Sequence, residues 1–218
     1  MFTNRLYIKS LSRRSKRISL TKFNSTSATP NSYFKLFPKS FPNGGPPNDS
    51  FLINEKQLRR EYRALQSINH PDISSTTDNS TNINKAFTNL KNPYLRLAHL
   101  IKLDTGIDIQ DDSVSKKYIA DFQNSNNENS LIYKNMLLQV MEAHEQLELS
   151  ESEKELENLE LENNERIDES CDKIEKELHQ KPIDWDEVII DAIKLKYWVN
   201  IQNGIKDWEP GKPVHLTH

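Results

Sequence analysis

Residues 54–72 read NEKQLRREYRALQSINHPD, and the rest of the chain is best read outward from them. At about 100° per residue, Leu58, Tyr62 and Leu65 share one helix face, and Lys56, Arg59, Arg60 and Arg63 take the opposite one. Asn54 suits an N-cap, and Gln57 stands three residues later, where a capping box wants an acceptor. Pro71 disfavours helical geometry in the residue before it, so the helix is expected to end near Asn69. The result is a short basic rod that ends in a rigid His70-Pro71-Asp72 turn. Only Glu61 interrupts the run of positive charge. A same-sign stripe of this kind raises the local potential and steers an acidic partner, with strong salt sensitivity.

The 218 residues fit one or two small domains plus tails. A formal charge of −3 argues against nucleic acid as a partner of the whole chain. The charge is uneven: no Asp or Glu precedes Asp49, while the stretch from Glu142 to Glu177 is heavily acidic. Five glycines and little strand-like alternation predict an all-α fold. One cysteine, Cys171, excludes an intramolecular disulfide and a Cys-rich zinc site. No apolar run approaches the length needed to span a membrane.

Before the basic rod, Arg5, Lys9, Arg13, Arg14, Lys16, Arg17 and Lys22 alternate with apolar residues and then a Ser/Thr-rich run. Composition of this kind, Arg- and Ser-rich without acids, describes a mitochondrial transit peptide over residues 1–30, expected to be removed on import. Asn31 or Ser32 can cap a short helix through Tyr33, Phe34, Leu36 and Phe37, followed by an irregular Pro/Gly-rich loop. After the turn, a helix is expected from Thr81 or Asn82, with Ile83, Ala86, Phe87 and Leu90 on one stripe. Asn92-Pro93 should kink or restart it, and Tyr94, Leu97, Ala98 and Ile101 carry the stripe onward.

Residues 104–128 read as a polar linker with one short helix, Ser113 to Gln123. Three long amphipathic patterns follow, at Leu131–Leu149, Ser150–His179 and Ile183–Ile205, and together they predict an antiparallel three-helix bundle over 129–210 with a tail at 211–218. Met136, Leu138 and Met141 fall beside or outside the core stripe of the first, and Tyr197-Trp198 adds aromatic excess to the last. Exposed Met and aromatic side chains on a bundle mark a partner surface.

The basic helix, the His70-Pro71-Asp72 turn and the polar loop after it resemble the J-domain, the module with which co-chaperones engage DnaK-class (heat-shock 70-kilodalton) chaperones. The resemblance places the J-domain at 31–103, a helical hairpin with an HPD loop. It implies docking by Arg59, Arg60 and Arg63, and triggering of the partner's ATP hydrolysis by His70, Pro71 and Asp72, with no catalytic group in this chain. Several further strings, YFKLFPKSFP (33–42), INKAFTNLKNP (83–93), LKYWVN (195–200) and KDWEPGK (206–212), are similar to the HscB family. Its members are J-type co-chaperones of iron–sulfur cluster biogenesis, mitochondrial in eukaryotes.

That likeness implies that the bundle binds the iron–sulfur scaffold protein through Met136, Leu137, Met141 and Tyr197, with Glu142 as a polar edge. Gln139 and Gln146 stand where fungal relatives carry Lys and Glu, so the apolar centre should dominate affinity. Animal members carry an N-terminal cysteine-pair metal module. This chain has none, and no cofactor or metal is expected. The implied role is a mitochondrial matrix co-chaperone that presents a loaded scaffold to the chaperone and stimulates its ATPase, promoting cluster transfer. Three rivals remain open: a generic mitochondrial J-protein with another client, a purely structural adaptor, and an enzyme. The histidines show no ligand spacing or nucleophile motif to favour the last.

Overall fold

The structure, a computed structural model, describes residues 31–68, 77–210 and 212. The expected transit peptide and the His70-Pro71-Asp72 turn lie outside the described residues. Seven α-helices follow one 3₁₀ turn at Tyr33–Leu36: α1 Glu55–Ile68, α2 Thr77–Lys91, α3 Pro93–Thr105, α4 Asp112–Ser125, α5 Asn127–Leu149, α6 Glu153–Leu178 and α7 Trp185–Lys206. Among the described residues there is no strand, and no helix is long and apolar enough to cross a membrane.

The start of α1 follows the chemistry of its cap. Asn54 Oδ1 accepts from the Gln57 N–H at 3.1 Å. Gln57 does not close the capping box; its Nε2 donates instead to the Lys39 carbonyl. Leu58 is buried, and Tyr62 stacks on Phe87 of α2 at 4.0 Å between ring centroids. The α1–α2 hairpin is therefore held by the two stripes read from the sequence. α2 starts at Thr77, earlier than expected, because its first turn is polar and carries no apolar period. Ser80 ties that turn to α1 through Gln66, at 3.1 Å. Asn92 caps α3 by accepting from Leu95 N–H at 3.0 Å, with Pro93 in the first turn, where its missing N–H costs nothing.

The aromatic segment before α1 closes the hairpin's open side. Phe34, Phe37, Phe41 and Phe51 are all buried. Gly45 is needed there: its φ is +108°, and a Cβ would sit 2.4 Å from Phe34 Cγ. Glu61 is 5 % exposed and accepts from Lys39 N–H (2.8 Å), Ser40 N–H (2.9 Å) and Ser40 Oγ–H (2.7 Å). This carboxylate fastens the turn after the 3₁₀ segment to α1.

α3 is buried from Tyr94 and then continuously through Arg96–Ile101, because α2 covers one side and α7 the other. One apolar core thus runs from Phe34, Leu97 and Ile101 into Cys171, Ile174, Ala192 and Val199. Arg96 lies in it, donating to the Leu90 carbonyl at 2.6 Å with its guanidinium 4.6 Å from the Phe51 ring centroid. Burial pulls its pKa down to about 10. Glu175 of α6 adds a polar tie, accepting from Ser50 Oγ–H at 2.9 Å and Phe51 N–H at 2.6 Å. His99 is equally structural: it accepts from Tyr33 N–H at 2.9 Å, and burial lowers its pKa to about 4.

α4 extends one residue beyond the expected helix at its start and two at its end, and it packs on α5 and α7 rather than bridging solvent. α5 begins at Asn127 because Asn126 caps a polar first turn, accepting from Asn129 N–H at 2.7 Å. α5, α6 and α7 form the expected bundle. Its far end is closed by Trp208, packed on the cluster of Ala143, Leu147, Leu156, Leu159, Ile201 and Ile205.

Replacing Glu61 by Ala removes an acceptor that serves two backbone N–H groups. The expected loss is about 2–3 kcal/mol, within the range for hydrogen bonds to a charged group. Urea unfolding should show a lower midpoint at unchanged slope. A midpoint equal to that of the parent would mean that water replaces the carboxylate without cost.

Candidate functional surfaces

Two surfaces stand out. On α1, Lys56, Arg59, Arg60 and Arg63 are all exposed. Arg59 approaches Glu55 at 3.9 Å in a solvent-exposed i,i+4 pair, a contact worth little in water. Arg60 and Arg63 have no ion pair among the described residues. Glu61, the one carboxylate in the run, has turned inward to the Lys39–Ser40 backbone. The face it leaves is positive apart from Glu55, which sits at the first turn beside Arg59.

The second surface is on α5 and α7. Met141 is 66 % exposed, Glu142 is exposed, and Leu137 and Tyr197 are half-buried. Tyr197 is held from below, its hydroxyl 3.1 Å from that of Tyr133. Tyr133 is buried beside Met136 and Trp198, and burial followed by the hydrogen bond to Tyr197 pushes its pKa upward. It therefore stays a neutral hydroxyl partner. Arg166 lies 5.2 Å from the Trp198 ring centroid and closes the other side of the cluster. Met136 departs from the sequence expectation: it is 8 % exposed, part of the bed beneath the surface rather than of the surface itself. Leu138, 55 % exposed, and Leu131, 59 % exposed, fall on the outside of α5.

Residues 132–206 match a family model described as the HSCB C-terminal oligomerisation domain. The chain is 32 % identical over 189 residues to the Saccharomyces cerevisiae protein named J-type co-chaperone JAC1, mitochondrial, covering 85 % of this chain and 93 % of that one. The chain belongs to the HscB family of J-type co-chaperones. The human iron-sulfur cluster co-chaperone protein HscB is 28 % identical over 168 residues, covering 73 % of this chain and 64 % of its own. The solved Jac1 co-chaperone from Saccharomyces cerevisiae superposes with a TM-score of 0.60 at 29 % identity, over 85 % of this chain and all (100 %) of that one. HscB from Vibrio cholerae shares the fold, with a TM-score of 0.53 at 23 % identity over 80 % of this chain and 95 % of its own.

Within this HscB-family chain, Leu137 and Tyr197 pack on one cluster with Tyr133, Met136 and Trp198, Met141 and Glu142 are exposed further along α5, and Arg59, Arg60 and Arg63 are exposed on one face of α1. His70, Pro71 and Asp72 fall among residues it does not describe. The sequence reading missed Tyr133 as the support of Tyr197. Its only signal was a tyrosine, with a hydroxyl to satisfy, on the core stripe of α5.

Among the described residues, Glu177, Glu187 and Asp191 come close enough to suggest a cation site. An internal cation already occupies the place. Lys173 Nζ pairs with Asp191, lies 3.1 Å from Glu177 Oε1 and 3.5 Å from Glu187 Oε1, and Lys194 Nζ is 2.8 Å from the other Asp191 oxygen. Neither Glu177 oxygen accepts an aligned hydrogen bond. Burial, together with Asp191 beside it, pushes the Glu177 pKa up to about 8, against the pull of Lys173. Burial also opposes ionisation of Asp191, but Lys194, Glu177 and Lys173 outweigh it and hold that pKa low. Burial and the neighbouring charges thus favour the protonated form of Glu177 and the ionised form of Asp191.

The sign of the pH dependence follows. Glu177 binds its proton more tightly folded than unfolded, so its contribution is complete below its ordinary pKa near 4.5 and is lost as pH rises through about 8. Stability of the parent chain should fall between about pH 4.5 and 8, where folded Glu177 keeps a proton that the unfolded chain has released. Glu177→Gln should flatten that fall in urea titrations across the range. Parallel profiles for both proteins would show that Glu177 does not hold the proton.

Proposed function

We propose that this chain is a mitochondrial matrix co-chaperone of iron–sulfur cluster assembly. It binds the cluster scaffold protein with the bundle, delivers it to a DnaK-class chaperone and stimulates that chaperone's ATPase, promoting cluster transfer. The observation that carries the reading is the pair of surfaces on one core: a basic α1 face from which Glu61 has turned away, and the exposed Met141 with half-buried Leu137 and Tyr197 on the bundle. The names of the yeast and human relatives, one mitochondrial and the other an iron-sulfur cluster co-chaperone, support compartment and pathway.

Each end has its own physical logic. The α1 face supplies long-range attraction to an acidic surface, which sets encounter rate and salt dependence more than final affinity. His70, Pro71 and Asp72 act next as the trigger of hydrolysis, with Asp72 the group suited to accept charge-assisted hydrogen bonds from the chaperone. The reaction remains the partner's, so the chain itself is not an enzyme. The bundle patch works by desolvation. Tyr197 combines apolar area with a hydroxyl whose orientation is set by Tyr133, the profile of an interface anchor.

Single-turnover ATP hydrolysis by the mitochondrial DnaK-class chaperone of the same organism, with and without scaffold, tests both ends. His70→Gln should abolish stimulation while scaffold binding by titration calorimetry stays intact. Tyr197→Ala should weaken scaffold binding more than about tenfold, as truncating an anchor does, and leave scaffold-free stimulation unchanged. Tyr133→Phe, which removes one hydroxyl, should weaken it about three- to tenfold, the span of a single hydrogen bond. Stimulation with no scaffold dependence would replace the client, and no stimulation by the parent chain would end the co-chaperone reading.

A further inference from the structure

The positive face of α1 does not stop at the helix. Lys39, in the turn after the 3₁₀ segment, has its N–H bound to Glu61 Oε1 at 2.8 Å and its carbonyl bound by Gln57 Nε2. Glu61 and Gln57 are four residues apart on α1, so one helix face grips both polar groups of Lys39's backbone. The side chain is left exposed, and with Lys56 and Arg60 it lines one shallow groove whose walls include Asn54 and Ala64. Glu61 also lines the groove, but both its oxygens are taken, by Lys39 N–H and by Ser40 N–H and Oγ–H.

Among the described residues, Lys39, Lys56 and Arg60 have no ion pair. Three like charges around one groove repel one another, and the fold keeps them together with a backbone clamp of its own. Their repulsion is relieved by a ligand that brings negative charge. Lys and Arg on a fixed rim are suited to carboxylates, Arg in two-point contact and Lys as a point charge.

We propose that Lys39 belongs to the chaperone-docking face, and that the Lys39–Lys56–Arg60 groove receives carboxylate side chains of an acidic segment of the DnaK-class chaperone. This rests on the co-chaperone reading above. It adds a contact from outside α1, positioned by Gln57 and Glu61, so the docking surface is composed of two chain segments.

The test titrates full-length protein into the chaperone's single-turnover ATP hydrolysis. Lys39→Ala should raise the half-maximal concentration about threefold and Lys39→Glu about tenfold, with the plateau rate retained, and both effects should shrink as KCl rises. Lys35→Glu makes the same charge change on an exposed residue of the same segment, outside the groove; it should stay within about twofold of the parent. Gln57→Ala should produce part of the Lys39→Ala effect and add nothing to it when the two are combined. Thermal melts of each variant should match the parent, separating docking from folding. If Arg60→Ala weakens docking and the Lys39 variants do not, the groove proposal is overturned and the α1 docking face stands. Equal losses from Lys35→Glu and Lys39→Glu would also overturn it, in favour of a diffuse charge effect. Failure of the parent chain to stimulate hydrolysis would remove the co-chaperone reading and this proposal with it.

Discussion

Through its middle α3 has no face left for water, and most of the architecture depends on that. A helix amphipathic in the ordinary sense buries one stripe and solvates the rest. α3 buries Tyr94 and everything from Arg96 to Ile101, because α2 lies on one side of it and α7 on the other. α7 responds in kind, with Val188–Ile193 buried without interruption. The N-terminal hairpin and the C-terminal bundle are therefore one hydrophobic object, not two joined by a tether. Removing either helix from the seam would expose a continuous apolar surface on the other, so the two halves stabilise each other through burial.

The seam also explains how this acidic chain uses its carboxylates. Glu61, Glu175 and Glu177 belong to the interior or its edges, and each has a structural role there. Two of them clamp backbone N–H groups, and the third, its protonated form favoured by burial, lies beside Asp191 and Lys173. A carboxylate turned inward is removed from the surface potential as well as from water. At Glu61 the two consequences meet. The hydrogen bonds that fasten the Phe37–Phe41 turn are the same ones that take the Glu61 carboxylate off the basic face of α1. Fold stability and the sign of the surface are set by a single side chain.

Much of this was legible in the sequence, and the limits are instructive. The α1 face, its Asn54 cap, the Asn92-Pro93 restart and the three bundle helices follow from period and cap chemistry, which are local. The error over Met136 was of another kind. Angular position on α5 puts it beside the core stripe, but Trp198 of α7 reaches across to cover it, and no single-helix wheel contains that information. α4 reads as a linker helix because it is polar; its apolar contributors to the core, Tyr118, Ile119 and Phe122, are too few to mark a buried side. The α3–α7 seam did leave a trace. Leu95, Leu97, Ala98, Leu100, Ile101 and Leu103 place apolar groups on every side of α3, a pattern that asks for two neighbours rather than one. The support of Tyr197 by Tyr133 left only the polarity of a hydroxyl, since a pairing across 64 residues of sequence has no local signature.

A shared core changes what it means for one protein to hold two partners. With a flexible tether, the effective concentration of one partner near the other falls as the tether lengthens, and any mutual orientation is accessible. Here Glu175 holds the Ser50 hydroxyl and the Phe51 N–H, Lys196 reaches Asp112 at 3.4 Å, and the apolar seam fixes the rest. Under the proposed role, the angle between the chaperone-docking face and the scaffold-docking patch is then a property of the fold. Little orientational entropy remains to be lost when both partners are bound, which favours the ternary complex if their shapes agree with that angle. If they do not agree, no linker can accommodate the misfit, and occupancy of one surface opposes occupancy of the other. Specificity for a matched pair of partners is then carried by the α3–α7 seam, remote from both docking surfaces.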